Sequence, residues 1–331
     1  MRWTLKPAGA KPTDNRSIGL RKPRAGTDAL SPVVEALIHK EHAEAHEGEL
    51  MDLGVPALPD ILRDNTDRNR TSPFAFTGNK FEFRMPGSQQ NLSDPNVVIN
   101  TAVAEQCERF CDYVAARADE DFYVVAMRFV RHTFRDHERI IFDGNGYSEE
   151  WEAEAERRGL PNLKATPDAL PSLVDPRNVA LFEKYGVLTE AELHARYVAK
   201  AEQYAKLLNI EANVMVHMTR HLYVPAVIDY SGDVATSVAT KAEIGINATA
   251  EKELVRKLTQ GIDDMQALAD ALEQKNTEAR AIPGCRERDD FYGSTIIPAM
   301  DELRAAVDAM ETICSKKCWP VPSYNDMLFY V

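Results

Sequence analysis

Beyond residue 96, apolar residues recur at helical spacing along most of the chain. The two longest stripes consist of Leu254, Leu258, Ile262, Met265, Leu268 and Leu272, and of Met300, Leu303, Val307, Met310 and Cys314. A single apolar stripe with polar residues on the other faces is typical of a helix in a bundle or an antiparallel coiled coil. Capping signals predict further helices after Ser148, Asp175 and Thr189, the last with a kink near Pro225. We therefore predict a large region of long helices.

A pattern of period two precedes the helices. Phe74 and Phe76 alternate, a turn sequence follows at 77–80, and Phe81 and Phe83 alternate again. This predicts a β-hairpin with one aromatic face on each arm. The predicted fold class is therefore α+β but mostly α, with a short antiparallel hairpin followed by a long-helix bundle.

The opposite face of the hairpin carries charged residues. Glu82 and Arg84 share it about 6.5 Å apart along the strand, with Arg70 and Lys80 nearby in the sequence. A carboxylate beside a guanidinium suits a divalent ion next to an anionic substrate. The alternative is a solvated strand face with an incidental ion pair, and periodicity alone favours that alternative.

Composition and charge narrow the class of protein. The chain has 331 residues, 44% of them hydrophobic, and a formal net charge of −13. No stretch approaches the ~18 apolar residues of a membrane span, and the start lacks the apolar core of a signal peptide. A negative protein is a poor partner for phosphate backbones, and five cysteines fit the reduced thiols of a cytoplasm. We expect a cytoplasmic protein without a nucleic-acid or membrane partner.

The first thirty residues differ from this average. They contain seven Lys or Arg but only two acids, and no apolar stripe of either period. This predicts an unanchored basic segment rather than a nucleic-acid-binding arm, because basic tails are usually solvated.

Histidines and cysteines offer candidate metal ligands. His217 and His221 are four residues apart on one helical face, a spacing that zinc sites use. No glutamate follows the first histidine and no third ligand is indicated, so we favour structural or surface histidines over zinc. A metalloprotein built on this pair stays the alternative, which the lack of tightly bound metal in the purified chain would exclude.

Two cysteine pairs also have helical spacing. Cys107 and Cys111, and Cys314 and Cys318, are each separated by one turn, and neither pair has the CxxC spacing of a zinc ribbon. We interpret them as buried free thiols. The chain also lacks the motifs of a nucleophile elbow, a phosphate-binding loop and a dinucleotide site.

The run NRTSPFAFTGNKFEFR at 69–84 resembles the active-site segment of glutamine synthetase in its type III form, found in bacteria and lower eukaryotes. The resemblance starts near Asp52 and recurs at 140–151, 160–170, 181–187 and 319–331. It implies three regions: 1–50 without the resemblance, 51–118 as the C-terminal end of the catalytic domain, and 119–331 as the type III C-terminal helical region. The hairpin would then come from a glutamine synthetase-type catalytic sheet.

The same resemblance implies the roles of three residues. Glu82 would bind a divalent metal, Mg²⁺ or Mn²⁺, Arg84 would contact glutamate, and Arg70 would act as a catalytic residue at the ATP phosphates and the acyl phosphate. These roles agree with phosphoryl transfer, which needs positive charge spread around the moving group. Arginine supplies permanent, bidentate contacts.

Other parts of the family pattern are missing from residues 1–60, among them further metal-binding glutamates, the nucleotide segment and the catalytic flap. The only cluster of acids and histidines there, at 42–47, is interpreted as a polar helix. A truncated gene product, a split gene and an assembly fragment would each explain why these parts are missing.

We expect a glutamine synthetase portion that acts on glutamate, ammonia and ATP but is inactive alone. Its protein partners would be copies of itself in double rings or a longer synthetase chain. The alternative is a non-catalytic helical assembly module.

Overall fold

The computed structural model describes residues 91–143, 149–322 and 324–328, together with the backbone of short strand segments at 21–22, 50–51, 61–62, 74–76 and 81–83. The chain forms two compact units. The bundle unit consists of Met1–Lys11, Ala165–Pro176 and Glu190–Val331, and the second unit of Pro12–Lys164 and Arg177–Thr189.

Helices account for most of the described residues. In chain order they are α1 (Ser93–Ala115), α2 (Phe122–Asp136), α3 (Glu149–Arg157), α4 (Thr166–Ala169), α5 (Pro176–Lys184), α6 (Glu190–Met218), α7 (Val224–Glu243), α8 (Thr249–Ala281), α9 (Cys285–Phe291), α10 (Ile297–Ile313) and α11 (Tyr324–Leu328). Short 3-10 helices lie at Glu138–Ile140 and Leu170–Val174, and π-helical segments at Thr219–Tyr223 and Tyr292–Ile296. The prediction of a mostly helical chain with long helices is confirmed.

The described strands are two or three residues long. They are β1 (Arg21–Lys22), β2 (Leu50–Met51), β3 (Ile61–Leu62), β4 (Phe74–Phe76), β5 (Phe81–Phe83) and β6 (Phe142–Asp143). β1 pairs in parallel with β6, and β2 pairs antiparallel with β3. β4 pairs antiparallel with β5, so that Ala75 lies opposite Glu82. The charged face predicted for this hairpin concerns side chains outside the described residues.

Aromatic contacts hold α1 against α2 in the second unit. The ring of Phe129 lies edge-on to Phe110 and to Tyr113, with centroids 5.2 and 5.3 Å apart. This edge-to-face arrangement is the favourable geometry for aromatic pairs. The carboxylate of Asp121 caps α2 by accepting a hydrogen bond from the Val124 amide at 3.1 Å. The pair of helices is therefore fixed at its turn and along its aromatic face.

A smaller core lies around α3. Trp151, Ala155 and Leu160 are buried together, and Ile140 packs against them. The chain leaves α3 through Gly159, whose φ of +68° is a left-handed conformation that glycine adopts without strain.

The bundle unit contains the main hydrophobic core, with α8 at its centre. α6, α7 and α10 each pack against α8. Buried residues of the four helices and of the second π-helical segment form one cluster that includes Leu208, Val227, Leu258, Met265, Leu272, Ile296, Leu303 and Val307. Both predicted apolar stripes lie in this cluster or against it, since Leu254, Ile262, Leu268 and Cys314 pack on it as partly buried residues.

Each π-helical segment comes immediately before a helix that carries proline at its second position, Pro225 in α7 and Pro298 in α10. Proline has no amide hydrogen and cannot donate to the carbonyl four residues earlier, so the regular α-helical pattern must change upstream of it. The irregularity predicted near Pro225 therefore takes the form of a π-helical segment at Thr219–Tyr223.

In the part of the chain that the structure describes, we find no helix with the length and apolar character that a bilayer span requires.

Candidate functional site

The three residues implied by the resemblance lie at the edge of what the structure describes. Arg70 and Arg84 are outside the described residues, and Glu82 is placed only through its backbone in β5. Their roles stay predictions. Within 91–143, 149–322 and 324–328, no three His, Cys, Asp or Glu side chains form a group that could hold a metal ion.

The two spaced histidines lie at the surface of the bundle unit. His217 is in the last turn of α6 and His221 is in the π-helical segment that follows, and both side chains are exposed. Their ring centroids are 4.5 Å apart with a 42° angle between the ring planes. Both histidines are therefore surface residues, and their rings lie side by side.

The interpretation of all four paired cysteines as buried thiols is wrong. Cys107 and Cys111 are exposed, while Cys314 and Cys318 are partly buried. Val98 and Val103 of the same helix are exposed as well, so helical spacing in this part of α1 is not accompanied by burial. Burial, with a smaller contribution from the nearby Cys318, raises the pKa of the Cys314 thiol.

A buried polar network joins α6, α8 and the second π-helical segment. Asn276 is 2% exposed, and its Nδ2 donates hydrogen bonds to Oδ1 of Asn209 at 3.0 Å and of Asn213 at 3.1 Å. The Tyr292 hydroxyl donates to Oδ1 of Asn276 at 3.2 Å. Sequence reasoning missed this network, although Asn276 stands four residues after Leu272 in the apolar stripe. A polar residue at a core position was the signal available.

A second buried polar group lies on α9. Asp289 is 2% exposed, and its Oδ1 accepts no hydrogen bond from the described residues. Burial raises the pKa of this carboxyl to about 6, against an opposing effect of the Arg288 charge. The hydroxyl of Tyr204 on α6 also lacks a partner among the described residues, and its pKa is raised chiefly by burial and further by Asp289.

A cluster of charges at the end of α5 is fully compensated. Nζ of Lys184 contacts Oε2 of Glu105 at 2.6 Å and also pairs with Glu108. The hydroxyl of Tyr185 donates to the same two carboxylates at 2.9 and 2.5 Å. Arg109 contacts Glu105 at 2.7 Å. The hydrogen bond from Lys184 is the largest cause that lowers the pKa of Glu105 to about 2.

This cluster gives a structural role to the motif at 181–187. Phe182 is buried, Lys184 and Tyr185 bind the acids of α1, and Gly186 with φ of +60° ends the helix. The Val187 amide then donates to the Phe182 carbonyl at 3.0 Å. The charged side chains of the motif at 181–187 already have partners. The motif therefore holds α5 against α1 and offers no group for catalysis.

The helical region of the chain is similar in sequence to a known protein family. Residues 126–242 match the family described as glutamine synthetase C-terminal domain. The match begins in α2 and ends in α7, so it includes helices of both units.

Three relatives match over most of the chain. The type-3 glutamine synthetase of Dictyostelium discoideum is 33% identical over 314 residues, covering 91% of this chain and 42% of the relative. The glutamine synthetase of Bacteroides fragilis is 31% identical over 291 residues, covering 86% and 40%. That of Butyrivibrio fibrisolvens is 32% identical over 276 residues, covering 81% and 39%.

These similarities are to the glutamate–ammonia ligases. The chain is similar to glutamine synthetases over most of its length, and its similarity to the Dictyostelium enzyme confirms the resemblance to the type III form. It spans about two fifths of the length of these relatives. The Dictyostelium match covers more of the chain than residues 51–331 contain, so the similarity extends further toward the N-terminus than the motifs do.

Proposed function

We propose that the chain is the C-terminal portion of a type III glutamine synthetase and contributes to the ATP-dependent ligation of ammonia to glutamate through γ-glutamyl phosphate. The observation that carries the proposal is the 33% identity to a type-3 glutamine synthetase across 91% of the chain. The helical bundle fits the C-terminal domain whose family matches 126–242.

The site residues of the proposal are Arg70, Glu82 and Arg84. Glu82 would bind Mg²⁺ or Mn²⁺, Arg84 would bind glutamate, and Arg70 would bind the ATP phosphates. Pairing of β4 with β5 supports this arrangement for Glu82, whose backbone lies in a paired strand opposite Ala75. The alternation of side chains along a strand predicts that residue 84 shares the face of residue 82. A bound divalent ion would supply charge neutralisation at the transferring phosphoryl group.

The chain alone is proposed to be inactive. Phosphoryl transfer in this family uses several metal-binding carboxylates, and Glu82 is the one that the motif identifies. The regions 51–118 and 119–331 would be the end of the catalytic domain and the helical region. The cytoplasm would be its location, and copies of itself in a double ring, or a longer synthetase chain, would be its partners.

A non-catalytic assembly module is the second candidate function. The observation that favours it is that the described residues are mostly helical, with long amphipathic helices packed around one hydrophobic core. In that case the chain would associate with synthetase subunits without contributing to their chemistry.

Complementation tests both candidates. The chain is co-expressed with the N-terminal three fifths of the Bacteroides fragilis enzyme, and glutamate-dependent phosphate release from ATP is measured. We expect activity from the pair and none from the chain alone, with loss of activity in Glu82→Gln and Arg84→Lys. Glu302→Gln, a change at an exposed position of α10, is the matched control that keeps activity.

The remaining outcomes decide against one proposal each. A stable complex without activity would favour the assembly module. Robust turnover by the chain alone would overturn the claim that it is inactive by itself. Activity of the pair that survives Glu82→Gln would remove Glu82 from the metal site.

A further inference from the structure

We propose that His217 and His221 form a two-imidazole chelate at the surface of the bundle unit, for a divalent transition-metal ion of the Cu²⁺, Ni²⁺ and Zn²⁺ class. Water would fill the remaining coordination positions. This proposal involves none of the residues proposed for phosphoryl transfer, and it does not depend on ligase activity.

Ring geometry is the first support. Imidazole nitrogen binds such metals at about 2.0–2.1 Å, so two ligands of one ion must have nitrogens roughly 3 Å apart. The two ring centroids are already 4.5 Å apart, on side chains that are both exposed. Small rotations about the side-chain bonds bring one nitrogen of each ring to a shared ion without moving the backbone.

The backbone beneath the pair is held rigidly, which is the second support. Val216, Thr219 and Tyr223 alternate with the histidines and are buried in the bundle unit. The Thr219 hydroxyl donates to the Met215 carbonyl at 2.8 Å across the junction between α6 and the π-helical segment. Because the ligands are presented by a packed helix, little conformational entropy is lost when the ion binds.

Local charge is the third support. Arg220 is the cation next to His221, and its Nη2 contacts Oδ1 of Asp270 at 2.6 Å and Oε2 of Glu273 at 2.7 Å. The charge of Arg220 is thus compensated by two carboxylates of α8. Arg220 therefore opposes a cation at the pair less than an unpaired guanidinium would.

The donor set determines which ions bind. Affinity at nitrogen ligands rises from Ni²⁺ to Cu²⁺ and falls again at Zn²⁺, whereas Mg²⁺ and Ca²⁺ prefer oxygen. We therefore expect Cu²⁺ to bind most tightly and millimolar Mg²⁺ to leave the site unaffected. Acidification protonates imidazole and should release the metal.

The test is a Ni²⁺ titration of the purified chain by calorimetry, without a polyhistidine tag. All samples carry Cys107→Ser, Cys111→Ser and His42→Ala, because exposed thiolates and the histidines at 42 and 46, which have the same spacing, would also bind the ion. The variants are His217→Ala, His221→Ala and their double variant. His194→Ala is the matched control, since His194 is an exposed histidine of α6 without a histidine one turn away.

We expect one equivalent of Ni²⁺ to be lost in the double variant, and each single variant to bind about 100-fold more weakly because the chelate is reduced to one ligand. The midpoint of thermal unfolding should rise with Ni²⁺ in the parent and in His194→Ala only. Electron paramagnetic resonance of the 1:1 Cu²⁺ complex should show two nitrogen ligands that the double variant lacks.

The proposal is overturned if His217→Ala and His221→Ala bind Ni²⁺ within twofold of the parent. It is also overturned if His194→Ala weakens binding as much as they do. Both histidines are exposed, so the variants should unfold at the parent temperature without metal, and that measurement confirms that they are folded.

Discussion

The helices of the bundle unit and those of the second unit have apolar residues at similar spacing. They differ in how deeply these residues are buried. In α8, Leu258, Met265 and Leu272 are fully buried, because three other helices pack around this one. In α1 and α2, apolar residues such as Val103 and Tyr123 are 48% and 75% exposed in the structure as described. Helical spacing therefore predicts the helix, whereas burial depends on how many neighbours the fold supplies.

The two units also treat carboxylates differently. Asp289 in the bundle unit is buried and its pKa is raised to about 6, whereas Glu105 in the second unit is held by ion pairs and its pKa is lowered to about 2. The bundle unit has a large hydrophobic core, which can offset the free-energy cost of burying the Asp289 carboxylate. α1 and α5 depend instead on charge compensation at their surface.

The largest contrast should come from truncating one apolar residue in each unit. Leu272→Ala should lower the free energy of unfolding by about 3 kcal/mol, because it leaves a cavity beside packed neighbours. The matched change Val103→Ala should alter it by no more than about 0.5 kcal/mol, since the side chain is half exposed. Urea unfolding, with hydrogen exchange of peptides from α8 and α1, measures both. Equal costs would show that α1 is covered as fully as α8.

Removing the buried carboxylate should stabilise the bundle unit. The folded state raises the pKa of Asp289, so its charged form costs stability above pH 6, and the cost disappears below the unfolded pKa of about 3.9. Asp289→Asn should therefore gain up to about 3 kcal/mol at pH 8 and nothing near pH 4. Thermal unfolding of both proteins across this pH range measures the gain. A variant that is less stable at pH 8 would mean that the carboxylate has a partner.

Two helical glycines should respond in opposite directions to alanine. A Cβ at Gly261 of α8 would fall on Sδ of Met310 and come within 2.6 Å of its Cε, so Gly261→Ala should cost about 1 kcal/mol or more. Gly232 of α7 has nothing within 4 Å of a Cβ, so Gly232→Ala should gain about 1 kcal/mol from helix propensity. Urea midpoints at constant slope compare the two. A gain at Gly261 would show that Met310 moves aside freely.

The smallest expected effect concerns the surface cluster. The folded state lowers the pKa of Glu105, so its contribution is present above pH 4.5 and is lost as the pH falls through about 2. Glu105→Gln should therefore be less stable than the parent at pH 7 and equal to it at pH 2, the reverse of the pH trend at Asp289. High salt should shrink the difference at pH 7 because it screens exposed charges. Thermal unfolding with and without 1 M salt checks this, and a difference that ignores salt would contradict it.

Patterns of neighbouring residues in the sequence predicted features that depend on neighbouring residues alone, such as the position of a helix and the residues that share one of its faces. Helical spacing identified α8 and α10, and the separation of His217 and His221 placed their rings on one face. Burial of Cys107 was predicted wrongly, because the covering of a helix face depends on residues distant in sequence. Two of the partners of Asn276, Asn209 and Asn213, lie more than sixty residues away in α6, so no local pattern could name them. The roles of Arg70, Glu82 and Arg84 came from resemblance alone and stay predictions.

The two π-helical segments let the bundle accommodate one additional residue at two points. Each takes about one more residue per turn than α-helix would, so its five residues turn the chain about as far as four α-helical residues do. Deleting one residue within Thr219–Tyr223 would therefore restore a continuous α-helix and leave the buried sides of α6 and α7 in nearly their present relation. Among homologues, single-residue gaps in these helices should fall in the two segments, together with loss of the proline that follows, because that proline disrupts a continuous α-helix.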